Sequence, residues 1–329
     1  MASHVRLMAL CSLSFGLGAC SGTAGVAPTT QALPMQALHE HLSGDSQTFG
    51  HLYVGDTVAG QKSALIFPLN GGLPGAQSGT LYAQKRFLGP QGLAVGPDGQ
   101  IYISGGLGRR HIDWSWVDVY PAGASGHTAP ARTIQSQGTQ GGITVDQNNY
   151  LYWGVQIFAP GAHGAATPLQ TLPISRKGLI GDLPQVDNQG NLYIDNELET
   201  AVFSNPITNP VETRSFCWNH NKGYESYSLA VAGDGTAYVG MDDAVNQPGE
   251  VLVFKPGAHS CDHPLGIITA SVTPALSAIV GLALGNGYLY VLSYDSRVVV
   301  LDPTIIGPQK PLATISGLPY PPWALALGP

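Results

Sequence analysis

Charge is scarce in this sequence. Lys, Arg, Asp and Glu make up 11% of its 329 residues, against roughly 25% in an ordinary soluble domain. The 14 basic residues are outnumbered by 21 acidic ones, for a formal net charge of −7. An acidic, lysine-poor chain has no electrostatic footprint for nucleic acid. It also lacks the polybasic patch that holds a protein on anionic lipid. The apolar run near the start, Leu7 to Leu17, is too short to span a bilayer as a helix. Helical periodicity is missing outside that run and residues 35–42. The sequence has no G-x-S-x-G elbow, no H-E-x-x-H and no phosphate-binding loop.

Turn formers and apolar residues are what the chain has in quantity. Gly (43) and Pro (25) fill about a fifth of it, which implies many turns. Hydrophobic residues make up 43%, enough for a packed core. The length suits one large all-β domain or two ordinary ones.

The first residues, MASHVRLMALCSLSFGLGAC, place His4 and Arg6 before the apolar run and end in Leu17-Gly18-Ala19-Cys20. This ending resembles a bacterial lipobox, which implies cleavage before Cys20 and lipidation of that cysteine. The plainer reading is a secretory signal cut near Ala19 or Ala24. Either one exports the protein. Removing residues 1–19 takes away Arg6 and no acid, leaving 13 basic against 21 acidic residues, a formal charge of −8. Residues 20–49 then read as lipidated cysteine and flexible tether, small and polar, with Pro28 and Pro34. His39-Glu40-His41 within it has metal-ligand types, but a solvated linker is the simpler account.

Cys11 lies in the signal and Cys20 is the expected anchor. That leaves Cys217 and Cys261 as an even pair in an oxidising compartment. A disulfide between them is one expectation. The other is that an outer strand and a hairpin loop of the next repeat lie too far apart.

From about residue 50 a phrase repeats. It recurs as LYVGD (52–56), IYISG (101–105), LYWGV (151–155), LYIDN (192–196), AYVGM (237–241) and LYVLS (289–293). Its tyrosines, Tyr53, Tyr102, Tyr152, Tyr193, Tyr238 and Tyr290, are spaced by 49, 50, 41, 45 and 52 residues. Periods of this size point to propellers or solenoids. Five copies follow an apolar segment and a tight turn, as in LAVGPDGQIYIS (93–104). Gly or Asn in the turn supplies the positive φ a short hairpin needs. A third apolar strand and a more polar fourth follow each tyrosine, the fourth suiting an outer edge.

The copy with Tyr53 lacks its first strand, and the missing piece stands at the other end of the chain, WALALGP (323–329). Pairing the two ends closes a ring and removes open edges. The expected fold is therefore all-β, a six-bladed β-propeller of four-stranded antiparallel blades over residues 50–329, closed by the C-terminal strand joining the N-terminal blade.

The units resemble NHL-type six-bladed propellers, most closely at Gly92–Gly105 and Asn191–Asn196. The resemblance implies the architecture; propellers host unrelated functions. Gluconolactonase-like and strictosidine-synthase-like propellers share the six-bladed ring. The gluconolactonase family enters its first blade with a metal-binding Glu, whereas Tyr320-Pro321-Pro322-Trp323 stands here without an acid. Gln91 stands where that family uses asparagine.

Candidate functional residues lie in the connections that do not repeat. In the loop 105–116, Arg109 and Arg110 offer anion donors, His111 an acid or base, Asp113 a carboxylate and Trp114 a flat apolar face. Trp116 reads more simply as the start of a strand. Asp56, Asp195, Asp242 and Asp295, with Asp243 and Glu197 nearby, follow second strands and could hold Ca²⁺ between blades. The simpler account is that Asp favours hairpin ends. His127, His163 and His259 lie on loops of different blades, about 20 Å from the axis, too far apart to share a metal.

The sequence thus points to an exported cell-envelope protein, on the periplasmic or surface face and attached to membrane only through its lipid. It would bind a protein, a small molecule or a glycan, without catalysis and without a required cofactor. A calcium-assisted hydrolase or lyase of the gluconolactonase-like type is the alternative.

Overall fold

The computed structural model describes residues 48–58, 61–84, 89–106, 115–137, 141–173, 183–195, 199–218, 224–243, 249–319 and 322–329. Cys20 and the tether up to residue 47, residues 35–42 included, lie outside them. The described residues form an all-β, six-bladed propeller with no helix.

Each blade is built on an antiparallel sheet of four strands, counted from the channel outward. Blade 1 takes its inner strand, Ala324–Gly328, from the chain's end and continues with His51–Val58, Gln61–Asn70 and Gly79–Tyr82. The joint is a true ladder: His51 pairs with Gly328, Tyr53 with Ala326 and Gly55 with Ala324. Blade 2 runs Gly89–Val95, Ile101–Gly106, Ser115–Tyr120 and Arg132–Ser136. Blade 3 is the smallest, with Ile143–Val145, Leu151–Trp153, Gln156–Phe158 and Gln170–Thr171. Blade 4 comprises Leu183–Val186, Leu192–Asp195, Glu199–Ser204 and Val211–Cys217. Blade 5 comprises Tyr224–Val231, Ala237–Asp243, Val251–Phe254 and Gly266–Ala270. Blade 6 comprises Ile279–Gly285, Tyr288–Ser293, Arg297–Leu301 and Ala313–Ile315.

The inner strands touch in cyclic order, blade 1 to 2 and onward, with blade 6 returning to blade 1. The core divides the same way, into six apolar clusters, one at each junction between blades. Each repeated tyrosine belongs to one of them: Tyr53 lies between blades 1 and 2, Tyr102 between 2 and 3, and so on to Tyr290 between 6 and 1. This explains why strands one to three are apolar on both faces. Each sheet is covered on both sides by its neighbours, and each buried aliphatic side chain contributes roughly 1.5–3 kcal/mol.

Close approach between blades fixes some glycines. A Cβ on Gly92 would stand 2.7 Å from the Ile143 backbone nitrogen of the next blade. A Cβ on Gly55 would lie 2.7 Å from the Trp323 ring, whose Nε1 donates to the Asp56 carbonyl at 3.1 Å.

The fourth strands are not bare edges as their polarity suggests. In several blades the loop between third and fourth strands reaches back and pairs, in parallel, with the outer strand of the preceding blade. Gly126 meets Leu81, Gly164 meets Ile134, Ser260 meets Phe216 and Gly307 meets Ile268. At blade 3 a side chain substitutes, Gln170 Nε2 donating to the Thr208 carbonyl of blade 4 at 3.3 Å. These stitches satisfy edge groups that would otherwise offer a pairing template.

One stitch is covalent. Cys217 and Cys261 form a disulfide with Cα atoms 4.7 Å apart. The reach is short because the Ser260 carbonyl already accepts from the Cys217 amide at 3.0 Å.

Candidate functional site

The inner strands end alike. Near its end each inner strand carries one large aliphatic residue, Val95, Val145, Val186, Val231 or Leu284, and Leu327 holds the matching place at the chain's end. Each pairs with the residue preceding a repeated tyrosine, or, in blade 6, with Leu289 at that same place. One per blade, they form an aliphatic collar in the wall of a cavity of about 370 Å³, which Thr144 and Gln185 of the same strands also line. This is within the usual range for small-molecule sites.

Beyond the collar the hairpins make an uneven rim. Blades 3 and 4 contribute Asp146, Gln147, Asn148, Asp187 and Asn188, and blade 2 contributes Pro97. Phe49 closes the blade 6 side. Asn286 holds it by two bonds of 2.9 Å, Oδ1 accepting from the Phe49 amide and Nδ2 donating to its carbonyl. Among the described residues no Lys, Arg or His lines the cavity.

The two rim carboxylates are set by local turn chemistry. Asp146 Oδ1 accepts from the amides of Asn148 and Tyr150, both at 2.9 Å, and its Oδ2 from the Tyr152 hydroxyl at 3.1 Å. Asp187 does the same with Gln189 and Asn191, and with Tyr193 at 3.2 Å. Asp98 and Asp234 cap their own turns likewise. This is the Asx turn favoured for a short loop.

The repeated tyrosines therefore do more than pack. The Tyr290 hydroxyl donates to the Gly72 carbonyl at 2.5 Å and that of Tyr238 to the Pro303 carbonyl at 3.5 Å, each in the next blade. Arg132 and Arg214 donate to the hydroxyls of Tyr102 and Tyr193, both at 3.0 Å, with each guanidinium 5.7 Å from the ring centre. Burial raises the pKa of all six phenols. Asp146 and Asp187 add to the rise at Tyr152 and Tyr193.

Arg109, Arg110, His111, Asp113 and Trp114 lie outside the described residues. The strands that flank them end at Gly106 and begin at Ser115, at the opposite end of blade 2 from the Pro97 hairpin. Trp116 belongs to the third strand, opposite Gly105.

The metal candidates lie in four different blades. Asp56 is fully buried in blade 1. Burial lowers the pKa of nearby Lys62, and the Asp56 charge opposes that shift. Asp195 is buried and accepts from Ser226 Oγ at 2.5 Å and Thr200 Oγ1 at 3.3 Å. Asp295 pairs with Arg297. Asp242 lies in the second strand of blade 5, opposite Glu225. Among the described residues no three His, Cys, Asp or Glu side chains gather as a metal site. His127 stacks on Tyr82 with ring centres 4.6 Å apart, and His259 pairs with Asp262 at 3.0 Å.

Fold and channel together define a six-bladed β-propeller with a cavity at one mouth of its channel. No protein-family model matches the chain. No curated protein matches it in sequence. Solved structures do. A protein from Lactobacillus plantarum matches with a TM-score of 0.52 at 12% identity, covering 85% of this chain and 99% of its own. A functionally unknown protein from Desulfotomaculum acetoxidans matches with a TM-score of 0.51 at 13% identity, covering 86% and 90%. At such identity the likeness concerns the fold alone.

Proposed function

We propose that this protein is an exported, lipid-anchored propeller of NHL-like type that acts as a binding module without catalysis. The observation that carries the reading is the cavity: six equivalent aliphatic residues, one per blade, ring a space sized for a small ligand. The polar groups at its rim support binding over chemistry. The carboxylates of Asp146 and Asp187 accept the bonds that hold their turns, which gives them a structural role. The connections after the second strands differ in length along the sequence, and the longest of them, residues 105–116 with Arg109 to Trp114, has side chains that suit a protein or glycan partner.

Lipidation at Cys20 is tested by detergent phase partition of the full chain expressed in a bacterial host. The wild type should enter the detergent phase and Cys20→Ser should stay in the aqueous phase; equal partition would overturn the anchor. The melting temperature of the soluble domain should not respond to millimolar Ca²⁺. A rise reversed by EDTA would favour the calcium-assisted hydrolase instead.

A further inference from the structure

We propose that the end of the propeller bearing the channel mouth is a membrane-docking face, whose outer rim over blades 3 to 6 lies on the lipid surface that holds the anchor. The assignment rests on the lipid-anchor reading and adds an orientation to it. Aliphatic side chains are exposed along this rim at equivalent places. Leu169, Leu265 and Leu312 in blades 3, 5 and 6 each follow a proline. Their amides donate to the third strand, at the carbonyls of Ile157, Val253 and Val300, over 2.7, 2.7 and 2.9 Å. Val211 follows Pro210 and opens the outer strand of blade 4. Blade 6 adds Ile305 and Ile306, in the loop that reaches back to blade 5. All six side chains belong to residues between 42 and 51% exposed. Ser78 and Ala131 hold the same place in blades 1 and 2, their amides donating to the Ile66 and Val119 carbonyls at 2.8 Å. The apolar rim is therefore an arc over four consecutive blades. Single exposed apolar residues need no explanation, but a repeated one does. Equivalent positions in a ring share one height along its axis, and at about 20 Å from that axis neighbouring blades hold them about 20 Å apart. A flat surface touches all of them at once; a small ligand does not.

Two further observations select lipid as that surface. The chain enters the propeller at this same end, where Phe49 lines the mouth and is held by Asn286 of blade 6. Residues 21–48 join it to Cys20, a tether of at most about 100 Å when extended. Anchor and rim can thus meet one bilayer, and the tether lets contacts hold that would be weak in free solution. The loops leading to the arc also carry little charge. Residues 159–169 and 204–211 have no Lys, Arg, Asp or Glu. In blade 5, Lys255 pairs with Asp262 at 3.6 Å. In blade 6, Asp302 caps its own turn at Thr304, and exposed Lys310 suits a lipid headgroup. Few charges would lose water against the bilayer. Docked so, the channel mouth opens towards the membrane, and Gly106 and Ser115 at the other end of blade 2 face away from it.

The test uses the mature chain, residues 20–329, with Cys20→Ser so that no lipid attaches and the face acts alone. It is titrated with phosphatidylcholine vesicles, and bound protein is read by co-sedimentation. Binding should be saturable and, being apolar, insensitive to added salt. Replacing Ile305 and Ile306 together by Ser should weaken it by at least about tenfold, since both lose their burial in lipid. Leu169→Ser, at the far end of the arc, should weaken it severalfold. Tyr294→Ser, at the other end of the propeller, should leave it unchanged. All four residues are exposed, so the variants should keep the wild-type melting temperature. No binding to the vesicles, or equal binding by the Ile305 and Ile306 variant, would overturn the docking face while the anchor, read by detergent partition, could still stand. Unchanged binding by Leu169→Ser would overturn the flat-surface assignment. Self-association without vesicles, lost in the same isoleucine variant, would give the rim to a second copy and overturn the lipid assignment.

Discussion

The six repeated tyrosines predict how this protein unfolds in alkali. Each phenol has less than 5% of its residue surface exposed, and burial raises its pKa above the ordinary value of 10. For Tyr290 the value is pushed up to about 12. In the unfolded chain each would ionise near 10. A raised folded-state pKa gives stability that is fully present below pH 10 and lost as pH climbs through the folded value. Each phenol then withdraws about 1.4 kcal/mol per pH unit. The four most strongly shifted, Tyr152, Tyr193, Tyr238 and Tyr290, together withdraw up to about 5 kcal/mol per unit, against a total domain stability of about 5–15 kcal/mol. Unfolding should therefore be cooperative and complete within about two pH units above 10. The assay follows tyrosinate absorbance and the far-ultraviolet β signal in the same sample from pH 8 to 12. The six phenols should ionise only as the β signal collapses. Tyr152→Phe should make the fall in stability shallower by about a quarter. Ionisation of all 14 tyrosines below pH 10.5 with the sheet signal intact would refute the reasoning.

Two further outcomes follow from the packing. Reducing Cys217–Cys261, which closes a 44-residue separation, should cost about 4 kcal/mol of stability; chemical denaturation with and without reductant measures it, and an unchanged midpoint would show that the stitch contributes nothing. Gly92→Val would force a side chain into the Ile143 backbone, so the melting temperature should drop by the equivalent of about 1–3 kcal/mol; no change would mean that blades 2 and 3 are looser than described.

The ring was legible because its information is local and repeated. A tight turn followed by Leu-Tyr-Val states a hairpin, six copies state the blades, and WALALGP states where the missing strand went. The tyrosine hydrogen bonds were not legible, because Asp146 and Asp187 look like any turn residue until Tyr152 and Tyr193 are seen donating to them. The disulfide depended on the stitch between Phe216 and Ser260. Strand periodicity does not encode such a stitch, since it joins a loop to another blade. The cavity was hidden for a related reason. Val145 and Val186 read as ordinary strand ends, and only ring closure turns six strand ends into a collar. A signal did exist in the consistent aliphatic residue before every turn, but it was masked by the apolar residues around it. Asp195 and Asp295 take partners that hairpin-end residues do not announce in sequence, Ser226 of the next blade and Arg297 across its own turn.

The central claim is that the two ends of the propeller build one blade. Hydrogen exchange under native conditions tests it most directly, read at Ala324–Gly328 and His51–Gly55. Chain ends ordinarily fray and exchange first. If the ladder from His51–Gly328 to Gly55–Ala324 closes the ring, its bonded amides will exchange with the slowest class in the protein, alongside the inner hairpins of blades 2 to 6. Fast exchange at Ala324–Gly328 while those hairpins stay protected would contradict the closure.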